Sequence, residues 1–197
     1  FSQGEHAHIT SKISARFRQV AFTYRAGYGQ GFRAPTLKER FMHFPVTGLF
    51  VLRGNENLRA ERSDNFHASV DWQQHRLLLS AAVAYNLVRQ RITTAPPSME
   101  REKQSGLPYI NYINLPRLYA FSLQCSAQNS WHLGLGTLGA RLNYAYTQEK
   151  VPQGNALTPY LPARSHALTV RFSYDCPINT HYEWGIQLSG RWLSGIS

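Results

Sequence analysis

Apolar residues recur at every second position over most of the 197-residue chain, and helical periodicity is scarce. Val20, Phe22, Tyr24, Ala26 and Tyr28 share one phase. Ile13, Ala15 and Phe17 hold the other, so a tight turn or a bulge is expected near Gln19. The alternation continues through Phe66–Trp72, Leu77–Leu87, Tyr119–Cys125, Leu138–Tyr146, Leu168–Tyr174 and Trp184–Trp192. A period of two sends alternate side chains to opposite faces, which predicts about eight antiparallel strands. Short turns are expected near 18–20, 73–76, 128–132 and 175–180. Long loops are expected near 34–62, 94–110 and 149–163. Short turns at one rim and long loops at the other are typical of outer-membrane barrels.

Opposite the apolar stripes stand Arg16, Arg18, Thr23, Arg25, Asn65, His67, Asp71, Asn86, Gln124, Arg141, Asn143, Arg171, Gln187 and Arg191. In a soluble sandwich this polar face is the outside. In a membrane barrel it lines a wet lumen and the apolar face meets lipid. Pattern alone fits both, but the aromatic residues lean to the second. Trp72, Tyr174 and Trp184 fall at the short-turn ends, and Tyr85, Tyr146 and Trp192 at the long-loop ends. At about 3.3 Å per residue and a tilt near 40°, Trp184 to Trp192 rises roughly 20 Å, close to an apolar band of about 25 Å.

Composition narrows the classes further. Charged residues make up 16% of the chain, against about 25% in soluble domains. No apolar run reaches the roughly 18 residues of a membrane helix, a limit that strands escape. The net charge of +10 favours an anionic partner. The arginines are scattered singly rather than in blocks, which argues against nucleic acid. Cys125 and Cys176 make neither a disulfide framework nor a metal site, and strand order puts them two strands, about 10 Å, apart, too far for a disulfide. The chain opens on Phe1 without Met and ends inside a strand-like pattern, so an excerpt of a longer protein is expected.

Two polar boxes interrupt the strands: GYGQGFRAP, Gly27 to Pro35, and GNENLRAE, Gly54 to Glu61. They resemble the paired boxes of TonB-dependent outer-membrane receptors. Gly31, Phe32, Arg33, Ala34 and Pro35 match the first. Gly54, Asn55, Asn57, Leu58 and Glu61 match the second, where Glu56 and Ala60 replace two usual prolines. SAAVAYNLVRQRITT, YINYINLPR, ARLNYAYTQEK and LPARSHALTVRFSYD are similar to family segments too, although LPRLYAFSLQ departs from the expected Gly-Val-Glu-like motif.

The resemblance implies an all-β fold: a fragment, residues 1–197, of a 22-stranded outer-membrane barrel, without the plug and the TonB-contacting segment. It implies uptake of a scarce ligand energised by TonB, with lipid, the TonB system and a small molecule or haemoprotein as partners, and no permanently bound cofactor. Ferric chelates, haem, cobalamin and glycans are the family's ligands. His43, between the boxes, is the candidate axial ligand of haem iron. Arg25, Arg141, Arg171 and Arg191 would form an anion-favouring inner wall. The boxes read as mainly architectural: glycines permit close approach, Pro35 ends pairing, and Arg33 has Glu61 as a candidate partner.

Other motifs lead elsewhere only weakly. GLGTLG, Gly134 to Gly139, fits GxGxxG but lacks the strand before and helix after that nucleotide binding needs. The histidines show no catalytic metal spacing, and no triad or carboxylate pair indicates an enzyme. A soluble antiparallel β binding module and a small complete outer-membrane barrel remain as alternatives.

Overall fold

The computed structural model describes residues 9–46, 48–98, 100, 106–154, 156–161, 164–178 and 182–195. Parts of the expected 94–110 loop, the 149–163 loop and the 175–180 turn lie outside the described residues.

The period-two segments are strands. In chain order they are β1 (Lys12–Gln19), β2 (Phe22–Arg33), the short helix α1 (Leu37–Phe41), β3 (His43–Val46), β4 (Phe50–Arg53), β5 (Glu61–Gln74), β6 (Leu77–Thr94), β7 (Tyr109–Leu133), β8 (Gly136–Gln153), β9 (Ala156–Pro159), β10 (His166–Pro177) and β11 (Glu183–Leu193). Eight long strands form one sheet in the order β1-β2-β5-β6-β7-β8-β10-β11. Every neighbouring pair along it is antiparallel.

Register carries each apolar stripe into the next. Tyr28 faces Phe66, Phe66 faces Tyr85 and Tyr85 faces Phe121. At the other rim Phe22 faces Trp72 and Trp72 faces Leu79. The result is one continuous apolar face, with every polar residue named above on the other. The phase change near Gln19 is a tight turn, and Val20 takes a φ of 43° there.

That apolar face excludes the sandwich. A second sheet would have to cover it, yet Phe66, Phe172 and Leu188 remain 50%, 48% and 71% exposed. The small closed barrel fails as well. Among the described residues β1 and β11 lie at opposite ends of the sheet order, so these strands form an open wall.

Two local expectations need correction. No turn occurs at 128–132; β7 continues to Leu133 and reverses at Gly134, whose φ is +60°. Gln128 and Ser130 are ordinary polar residues of the inner face, and Asn129, opposite Ala140 on the outer face near the short-turn rim, completes a cluster that only looks turn-like. Cys125 and Cys176 are both free, but they are further apart than a two-strand separation of about 10 Å. Cys125 faces Tyr144 and Tyr144 faces Leu168, which leaves Cys176 eight positions, about 26 Å, further along β10.

Candidate functional site

The densest chemistry lies where the 34–60 segment returns to the long-loop rim. Pro35 cannot donate to a ladder, so β2 ends before it. Thr36 then caps α1 in a reciprocal capping box: its hydroxyl accepts from the Glu39 amide at 3.2 Å, and its own amide donates to the Glu39 carboxylate at 2.8 Å. Arg33 reaches the same carboxylate and also Glu61, 3.5 Å away. Glu61 in turn accepts from the Ile92 amide at 3.2 Å. Burial pushes the Glu39 carboxyl up. The Thr36 amide and hydroxyl and the Arg33 guanidinium outweigh it and hold the group below its ordinary 4.5.

The second box docks on this one through its backbone. The Gly54 amide donates to the Met42 carbonyl, and the Asn55 amide to the Glu39 carbonyl at 2.9 Å. A Cβ at Gly54 would lie 2.5 Å from the Arg40 carbonyl carbon and oxygen, so only glycine permits this approach. The side chain of Asn55 donates to the Tyr112 carbonyl at 2.9 Å and accepts from the Asn57 amide at 3.0 Å. Leu58 is buried, as are Val51 from the returning segment and Val88, Ile92 and Leu118 from the rims of β6 and β7. Strand β4 adds a short parallel pairing to β7. The boxes therefore seal a small core over the inner side of the wall.

The expected Arg33–Glu61 link is present. Glu39 and Asn114 were not anticipated. Asn114 accepts from the Arg59 amide at 2.7 Å and donates to the carbonyls of Arg59 and Gln90 at 3.0 and 2.8 Å. Thr36-x-x-Glu39 is a legible capping-box signature, whereas nothing local marks Asn114. The strand glycines play smaller parts. Gly27 makes room for the His67 ring and Gly31 for the Ser63 hydroxyl, while the close backbone approach is at Gly54. Phe32 lies in the last stretch of β2, and Ala34, just past its end, leads into Pro35.

The inner arginines do not form one site. Arg141 faces Arg171 directly, and Arg191, opposite Thr169, is the diagonal neighbour on β11. Arg141 donates to Gln128 from Nε at 3.0 Å. The recess beside Arg141 and Arg171, about 330 Å³, also includes Asp175 and Gln187. Arg25 sits four strand steps from Arg141, about 19 Å across the sheet and four positions further along it, and is paired with Asp71. His43 opens β3 opposite Arg53 on an exposed rim hairpin. The topology thus separates His43 from the inner arginines; its cross-strand cation is Arg53. Among the described residues no group of three or more His, Cys, Asp or Glu side chains could hold a metal ion.

This geometry has counterparts in solved structures. The siderophore receptor PirA from Acinetobacter baumannii superposes with a TM-score of 0.61 at 13% identity, over 95% of this chain and 30% of that one. PirA from Pseudomonas aeruginosa gives 0.60 at 14%, over 93% and 42%. The copper transporter OprC gives 0.58 at 16%, over 90% and 25%. The chain thus spans between a quarter and two fifths of the length of these structures. No curated protein sequence matches it. Residues 1–196 match the family described as TonB dependent receptor-like, beta-barrel. With one face apolar, the other polar and the two boxes interlocked at the rim, the chain belongs to the TonB-dependent receptor family, within its β-barrel.

Proposed function

We propose that the chain is part of the wall of an outer-membrane receptor that imports a scarce metal complex, with iron the foremost metal and TonB supplying the energy. The observation that carries this reading is the continuous apolar belt backed by a polar inner wall with Arg141, Arg171 and Arg191 grouped on it. Such a wall favours anionic chelates, because grouped guanidinium groups attract carboxylates and catecholates. The siderophore and copper proteins among the similar structures support a metal complex as cargo. Haem is the narrower reading and rests on His43, with Arg53 as the cation placed to meet a propionate.

Growth of an iron-starved strain, with and without the full receptor, on single iron sources tests this. Loss of growth on a ferric siderophore after deletion supports the chelate reading. Loss on haem, with the same loss in His43→Ala, supports the narrower one. Normal haem use by His43→Ala, with unchanged haem affinity, rejects His43 as axial ligand. If deletion leaves growth on every iron source intact, cobalamin or a glycan replaces iron.

A further inference from the structure

Three arginines meet on the outer side of the wall, away from the ligand path. Arg62 of β5 faces Arg89 of β6, and Arg89 faces Arg117 of β7. They share the face of Phe66, Tyr85 and Phe121, because each lies an even number of positions from one of these along its own strand. All three are exposed, and Arg59 joins them around a recess of about 540 Å³. Like charges directly opposite on neighbouring strands repel. Compensation is sparse: Asp64 lies 3.2 Å from Arg89, and its carboxylate also accepts from the Tyr28 hydroxyl at 2.6 Å. Among the described residues no carboxylate pairs with Arg62 or Arg117. A row of this kind is completed by an anion.

Its height on the wall indicates which anion. Tyr28, Phe66, Tyr85 and Phe121 form a single aromatic row across four strands, and such rows mark the edge of the apolar layer. The arginine row lies four positions beyond it, about 13 Å along the strands and roughly 10 Å in height at a 40° tilt. That is headgroup depth. On the near side of the aromatic row, β5 and β6 carry small side chains, Ala68, Val70, Ala81 and Val83, along a shallow apolar groove of about 580 Å³. A phosphate suits the guanidinium forks and an acyl chain suits the groove.

We propose that Arg62, Arg89 and Arg117 bind the phosphorylated headgroup of a membrane lipid whose acyl chain lies along this groove. The site is separate from the cargo path, so its test is independent of which ligand the receptor imports. The test uses the full receptor in detergent, titrated with lipid A, a phosphorylated glycolipid, and with its dephosphorylated form. The triple variant Arg62→Gln, Arg89→Gln, Arg117→Gln should weaken lipid A binding on the order of a hundredfold. The inner-face control Arg16→Gln, Arg18→Gln should bind as the native receptor does. The dephosphorylated lipid should bind the native receptor as weakly as lipid A binds the triple variant. Equal affinity of the triple variant, or of the dephosphorylated lipid, overturns the proposal. So does saturation by inorganic phosphate at the same concentration as the lipid, since the groove would then contribute nothing. If the glutamine variant does not fold, the three Arg→Lys changes keep the charge, and the comparison of the two lipids on that protein decides.

Discussion

Gly54 and Glu39 show how single residues hold the rim together. At Gly54 a methyl group would strike the Arg40 backbone, which has no rotamer with which to yield. Gly54→Ala should therefore destabilise the receptor by about 1–3 kcal/mol, read as a lower temperature of heat-modifiability on gels. The same change at Gly29, which meets only Lys12 side-chain carbons at 3.6 Å and beyond, should leave that temperature nearly unchanged. Glu39 gives a pH signature. Its carboxyl is held below 4.5 in the folded state. Its contribution is therefore complete above the unfolded value and lost as pH falls through the lower folded value. Thermal stability of the native receptor should drop on acidification below about pH 4.5, and Glu39→Gln should show a smaller drop in that window. An identical pH profile for the two proteins would contradict the role assigned to this carboxylate.

At the scale of elements, the strands were readable because one face of each meets apolar surroundings, and period two survives wherever that holds. The misplaced turn at 128–132 shows the limit. Gln128, Ser130 and His132 occupy inner-face positions of β7, where polarity does not distinguish a strand from a turn. The conformational signal was Gly134. Within 34–60 the capping box of Thr36 and Glu39 marks the start of the helix, but the way this segment docks on the wall is hidden for another reason. Its partners are backbone groups and Asn114, more than fifty positions away, and no local pattern encodes such contacts. Alternation puts the inner arginines on one face, but face alone does not tell that Arg25 pairs with Asp71 while Arg141 and Arg171 adjoin. The alternation of loop lengths also predicts orientation, with the long-loop rim outside the cell. A cysteine at Pro97 of the full receptor should react with an impermeant reagent on intact cells, and one at Arg76 should not. The reverse labelling would invert the topology. The two natural cysteines should remain thiols, since the register keeps them far beyond the roughly 7 Å Cα separation that a disulfide spans. A linked peptide in mass spectra of unreduced protein would contradict the register.

For the whole molecule, an open wall with an apolar outer face is incomplete by itself. Among the described residues its edge strands β1 and β11 each have a neighbour on one side, and its polar inner face needs water, a plug or cargo against it. The proposed function is an energised path for a metal complex, enclosed by the full receptor to which this wall belongs. The most direct measurement is uptake of a radiolabelled ferric chelate by iron-starved cells carrying the full receptor, with TonB intact or deleted. Accumulation should need both the receptor and TonB, while surface binding persists without TonB. Accumulation that is unchanged when the receptor is removed, or that proceeds equally without TonB, would contradict the proposed function.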